Sequence, residues 1–255
     1  MLGRFNQDQF FTAGILFFGA LIIALFGFLV RFDHIFYDLS QYLSFKNPPE
    51  DVVIVAIDER SLDAIGKWPW RRQVHAELLQ KLSRDQPKAI GVDVFFSEPD
   101  TAYPQDDQAL ANVINASPFY VLPVVIDVPF QYASIKQTAP LPLLGGASLG
   151  RVNVPLDMDG IARGIYLWEA VSDDGKAVVG IPHFSQAILR VAKQLPAKLN
   201  QFAPLLSPKQ NKSGFISRHV WQQEKKIRFY GKPGHFKQVS YSSVLAGDIP
   251  ENYFK

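Results

Sequence analysis

The 255-residue chain has no cysteine and only two methionines, and its charges nearly cancel, with 26 Lys and Arg against 24 Asp and Glu. The lack of cysteine excludes a disulfide framework, a dithiol redox motif and a thiolate metal site. It does not fix the compartment. A net charge of +2, with basic and acidic residues intermixed, gives no nucleic-acid footprint, and no nucleic-acid partner is expected. Also missing is any G-x-x-x-x-G-K-[ST] phosphate loop. The five histidines, His34, His75, His183, His219 and His235, show neither H-x-x-x-H nor H-E-x-x-H spacing. A zinc site would need long-range assembly, so no metal and no cofactor are expected.

Long apolar runs are scarce too, with one exception. Phe10–Val30 (FFTAGILFFGALIIALFGFLV) carries no charge over 21 residues, of which 17 are apolar. The mean hydropathy of +0.01 averages this run with a polar remainder. About 20 apolar residues span a bilayer core. A cleavable signal peptide would have a shorter core and a small-x-small cleavage site, which Gly27–Arg31 does not supply. The expectation is one uncleaved membrane helix. Arg4 on one side and Arg31 and Lys46 on the other orient it weakly. The layout read from this is a cytoplasmic tail at 1–9, a membrane helix at 10–30, a juxtamembrane helix and linker at 31–49, and a periplasmic domain at 50–255. Ala20 and Ala24 form a small-xxx-small pair. They suit either ordinary lipid contact or a homodimer through membrane helices.

Past the membrane run, Phe32, Ile35, Phe36, Leu39, Tyr42 and Leu43 recur at helical spacing until Asn47-Pro48-Pro49 ends the pattern. Asp51–Asp58 (DVVIVAID), Lys88–Phe96 (KAIGVDVFF) and Phe119–Ile126 (FYVLPVVI) read as buried strands. Arg71–Arg84 and Gln105–Asn115 read as amphipathic helices between them. That alternation implies crossover units. The expected fold is α/β, with a mostly parallel central sheet flanked by helices. Asp127–Gly150 reads as an irregular excursion. Arg151–Val154 and Ile161–Val171 read as a hairpin about the turn Asp157–Gly160. Ile181–Gln194 reads as a helix, Leu199–Arg218 as a polar segment, Lys226–Tyr230 as a strand and Val239–Ala246 as a short helix.

Several motifs carry chemistry only in the right context. Gly146-Ala147-Ser148-Leu149-Gly150 matches G-x-S-x-G, which needs a sharp strand-to-helix turn. A membrane-anchored hydrolase using Ser148 with His183 and an acidic partner is the enzymatic alternative. Glu98, Asp100, Asp106 and Asp107 form an acidic cluster, read as first-turn helix charge in preference to a divalent-cation site. The most informative constellation is Asp58, Trp68-Pro69-Trp70-Arg71-Arg72 and Asp93. In parallel α/β sheets ligands bind beyond the carboxyl ends of the strands. Asp58, Trp68, Trp70, Arg71 and Asp93 could line a pocket there. Equally, the tryptophans could pack the loop while Arg71 pairs with Asp58 or Asp93.

These residues carry a family resemblance. Phe36–Leu39, Val52–Arg72 (VVIVAIDERSLDAIGKWPWRR), Ala89–Asp100 with Asp107, Gly150–Val154, Asp159–Arg163 and Tyr230–Pro250 occur in order along nearly the whole chain. The chain resembles the second subtype of the CHASE extracellular sensory domains, input modules of bacterial transmembrane receptors. The resemblance implies a periplasmic sensor at the inner membrane, with an unknown signal ligand and no catalytic residues in the chain. Arg163 joins the ligand-binding candidates as an outlying position. It also implies a further strand, further membrane helices and a cytoplasmic output beyond Lys255, such as a histidine kinase or a nucleotide cyclase. The domain is therefore expected to be C-terminally incomplete. A structural role, holding receptor subunits together, is the third reading.

Overall fold

The computed structural model describes residues 7–25, 28–44, 46–127, 136–172, 179–195, 218–232 and 234–255. Most of the polar segment 199–218 lies outside them. The chain forms two compact units, one of residues up to Val52 with Arg228–Phe236, the other of Val53–Ile227 with Lys237–Lys255.

The first unit contains helices α1 (Gln7–Leu25) and α2 (Phe28–Leu43). In α1 Phe10, Phe11, Ile15, Leu16, Phe17 and Phe18 are 59–73% exposed, because no polar face exists to turn outward instead. Among the described residues, no helix is long and apolar enough to cross a membrane. Helix α2 exposes Phe32, Ile35, Phe36, Leu39 and Leu43. Its Gln41 Oε1 accepts the Phe229 amide N–H at 3.2 Å, which ties the 228–236 segment to the helix.

The second unit begins with β1 (Val53–Ala56), α3 (Glu59–Ile65), α4 (Arg72–Arg84), β2 (Ile90–Gly91), α5 (Pro104–Asn115) and β3 (Tyr120–Asp127). It continues with β4 (Lys136–Thr138), a short 3-10 turn at Pro142–Leu144, β5 (Ser148–Arg151), β6 (Gly164–Ser172) and β7 (Val179–Pro182). Then come α6 (Phe184–Ala192), β8 (Arg218–Lys226), β9 (Lys237–Ser240) and α7 (Tyr241–Ala246). The helix limits follow local chemistry. Asp58 caps α3, Gly66 ends it at φ +108°, and Gly247 ends α7 in the left-handed region at φ +83°.

The expected sheet needs correction. Of the described strand pairs three are parallel, β1–β9, β2–β3 and β3–β5, and three are antiparallel, β3–β4, β6–β7 and β6–β8. The sheet is mixed. The hairpin about Asp157–Gly160 does not form either. The turn is real, with Gly160 N–H donating to the Asp157 carbonyl at 2.9 Å. Its flanks part, however: β5 pairs back to β3 while β6 pairs with β7 and β8. The strand expected at Lys226–Tyr230 lies earlier, in β8.

Strand β3 is the centre, with Tyr120, Val121, Leu122 and Val124 fully buried. Pro123 is tolerated there for a geometric reason. Odd-numbered residues of β3 point their backbone groups toward β2, as the Ile90 N–H to Phe119 and Val92 N–H to Val121 bonds show. Pro123 falls in the gap where the β2 ladder has ended and the β4 ladder, which starts at Val125, has not begun. No ladder bond is lost to its missing N–H. On the other edge Asn153 stands in for a strand: its Oδ1 accepts from Ile126 N–H at 2.9 Å and its Nδ2 donates to the Ile126 carbonyl at 3.0 Å.

The main core lies between the β1, β2 and β3 strands and helices α4, α5 and α7. Leu79, Leu82, Leu110, Ile114, Tyr120, Leu122, Tyr241 and Val244 are buried in it. Helix α6 packs elsewhere. A Cβ on Gly150 would lie 2.6 Å from the Phe184 Cα, and one on Gly91 would meet the tip of the Ile188 side chain. These two glycines let α6 lie directly on β2 and β5.

Candidate functional site

The chain makes its first polar junction where β1 ends. Asp58 Oδ1 accepts the Ser61 amide N–H at 3.0 Å and the Ser61 hydroxyl at 2.6 Å. Its Oδ2 accepts the Ser240 hydroxyl. Ser61, fully buried, accepts the Ser242 amide N–H at 3.1 Å. One carboxylate thus fastens the ends of β1 and β9, a parallel pair, to the starts of α3 and α7. The Ser240 and Ser61 hydrogen bonds hold the Asp58 carboxyl below its ordinary pKa, so it is an anion at neutral pH with both oxygens engaged.

Next in sequence comes the Trp-Pro-Trp loop, whose Trp68–Pro69 peptide is cis. Trp70 is buried, and its Nε1 donates to the Gly66 carbonyl at 2.7 Å. Its ring lies 4.9 Å from Tyr241 and 5.3 Å, edge to face, from Trp68. His75 completes the group, contacting Trp68, Phe96 and Tyr241, with Nδ1 2.8 Å from the Tyr241 hydroxyl. Burial, and then the charge of Arg72, push the His75 pKa down to about 4. Burial raises that of Tyr241. Both are therefore neutral at pH 7.

Arg71 does not pair with Asp58 or Asp93. Its Nε and Nη2 grip Asp106 at 2.9 and 3.0 Å, and its guanidinium stacks on the Tyr103 ring at 3.7 Å. Arg72 pairs with Asp107 and donates to the Glu98 carbonyl. Asp107 also accepts the Asp100 amide N–H at 2.9 Å. Asp106 and Asp107 of the acidic cluster thus form an ion-paired joint between the starts of α4 and α5. The hydrogen bond from Arg71 lowers the Asp106 pKa. About half of the Arg71 side chain faces solvent, whereas Asp106 is buried.

The remaining candidates lie apart from the tryptophans. Asp93 is exposed, two residues past the end of β2, next to the buried Val92. Arg163, buried just before β6, holds Asp157 at 3.0 Å and Asp159 at 2.8 Å. Its hydrogen bond draws the Asp159 pKa to about 2. That clamp fixes the Asp157–Gly160 turn, so the carboxylates there answer to an arginine. The G-x-S-x-G segment does not form a nucleophile elbow: Ser148 opens strand β5, paired with Val121.

A second polar cluster had no sequence motif. Arg151 and Glu169 form an ion pair in which each side chain is 2% exposed. Arg151 also donates to the carbonyls of Asn153 at 2.6 Å and Tyr166 at 2.9 Å. His183 lies beside this pair, and Arg190 sits 5.3 Å over the Trp168 ring. The only trace in the sequence is a glutamate in the otherwise apolar run Ile165–Val171.

The site and the fold define an α/β domain of mixed sheets, whose buried charges bind one element to another. The model of the CHASE2 domain matches residues 13–255, and the chain belongs to this family of extracellular sensory domains found in signalling receptors. No curated protein and no solved structure matches. CHASE2 is a sensory domain family, not a catalytic one.

Proposed function

We propose that the chain is the extracytoplasmic input module of a bacterial signalling receptor, held in the inner membrane by residues 10–30 with its main domain in the periplasm. Membership of the CHASE2 family over residues 13–255 carries this reading. The exposed apolar side chains of α1 support the anchor, since in lipid they would cost nothing to expose.

The signal is an unidentified small ligand bound around Trp68 and Arg71, with Asp93 set apart from them as an outlying contributor. Asp58 and Trp70 hold the loop that presents Trp68 and Arg71, and Arg163 is a second outlying contributor. Binding has to favour one of two conformations to be transmitted. The output is a cytoplasmic histidine kinase or nucleotide cyclase, reached through the membrane. The topology is tested with alkaline phosphatase joined after Lys255. An active fusion is expected, with a cytoplasmic reporter at the same point silent. The opposite pattern would place the domain inside the cell and sink the reading.

The partner in the membrane is a second copy of the chain, meeting through the Ala20 and Ala24 stripe. The natural chain has no cysteine, so Ala20→Cys gives a single reporter thiol. A disulfide-linked dimer in membranes is expected from Ala20→Cys, and none from Phe18→Cys, which lies on another face of the helix.

A further inference from the structure

The β3–β5 ladder and the β6–β7 ladder meet through one backbone bridge, between Arg151 and His183. His183 also opens α6 and joins it to β6. Its amide N–H donates to the Leu167 carbonyl at 2.9 Å, and its carbonyl accepts the Ala187 N–H at 2.8 Å. Its Nδ1 accepts the Ser185 amide N–H at 3.3 Å and lies 2.8 Å from the Ser185 hydroxyl. An Nδ1 that accepts leaves the hydrogen of the neutral ring on Nε2. Nε2 is buried without a hydrogen-bond partner, in a residue only 9% exposed.

The charges around this ring are unbalanced against a further cation. Arg151 faces it from β5 and Glu169 from β6. Glu169 is the counter-ion of Arg151. Arg190 lies two turns along α6, over Trp168. From Val121 to Ile126, β3 brings only apolar side chains.

We propose that His183 is a proton-operated latch on this seam, which closes α6 and the Arg151–His183 bridge when neutral and releases them when protonated. A proton from solvent adds an N–H at Nδ1. The Ser185 amide then loses its acceptor, so the helix cap is lost. The same proton places a second cation beside Arg151 in a region closed to water. Burial first, and Arg151 second, hold the ring at a pKa of about 4, while an opened, hydrated ring titrates near its ordinary 6.5. Acid therefore favours the open form, and the open-to-closed ratio rises roughly twentyfold from pH 7 to pH 5. This latch is independent of whatever binds near the Trp-Pro-Trp loop.

The test is hydrogen exchange at single amides of the full chain, expressed as protection factors so that intrinsic pH effects cancel. His75 also titrates low, which makes a global unfolding measurement ambiguous. Protection at Ser185, Ala187 and His183 is expected to fall about twentyfold between pH 7 and pH 5. In His183→Asn, which keeps a capping side chain and cannot take up the proton, that fall is expected to vanish. No fall in the natural chain, or an equal fall in His183→Asn, would overturn the latch. Should the variant not fold, the imidazole nitrogens of the natural chain decide. An Nε2–H tautomer titrating well below 6.5, together with a shift at the Ser185 amide, supports the latch, and an ordinary midpoint without that shift refutes it.

Discussion

Replacing Glu169 with alanine is expected to remove about 3–5 kcal/mol from the unfolding free energy of the domain. The carboxylate is almost wholly buried against Arg151, and Arg151 is as buried as its partner. Deleting one member strands a guanidinium where water cannot reach it. The two carbonyls of Asn153 and Tyr166 still accept from Arg151, but they bring no full negative charge. Removing both charges together is a different matter. Arg151→Met combined with Glu169→Leu is expected to recover most of the loss, since a buried pair gains little over well-packed apolar groups. Urea titration of the single and double variants checks this. A double variant no more stable than Glu169→Ala would mean that the seam depends on the polar contacts themselves.

The second large effect is expected at Trp70. Its ring packs on Trp68, His75 and Tyr241 and reaches the edge of the main core. Truncation to alanine is expected to cost about 3–5 kcal/mol, as for other buried aromatic deletions. Trp70→Phe keeps most of the packing and loses the Nε1 bond to the Gly66 carbonyl, a loss of about 1 kcal/mol. The pair of variants separates two roles for this residue. If signal response fails in Trp70→Ala and survives in Trp70→Phe, the ring holds the loop. A response lost in Trp70→Phe, at nearly natural stability, would assign the response to the Nε1–H bond to the Gly66 carbonyl.

Much of the fold is legible in local pattern. Val74, Leu78, Leu79 and Leu82 mark α4, and the aliphatic run of β3 marks a strand covered on both faces. What escapes the sequence is nonlocal. Strand β9 offers a single inward apolar residue, Val239, and its partner β1 lies some 180 residues earlier. Strand β5 looks like half of a hairpin because a good turn follows it, yet its best neighbour is β3. The candidate site shows the same limit. Trp68, Trp70 and Arg71 are visible as a rare block, and Asp58 as the end of a strand. That Arg71 and Arg72 meet Asp106 and Asp107, 35 residues away, depends on how α4 packs beside α5. Ser61, Ser240 and Ser242 are too ordinary in composition to stand out, although Ser61 and Ser240 engage Asp58 and Ser242 bonds to Ser61.

The two glycines beneath α6 differ in what they touch. Gly150 abuts the backbone of Phe184, at the first turn of the helix, whereas Gly91 abuts the flexible tip of Ile188, one turn later. Main chain cannot yield to main chain, but an isoleucine can change rotamer. Helix α6 is therefore hinged at one end and sprung at the other. A small displacement near His183 would be taken up at Ile188, where the helix rests on Gly91 of β2.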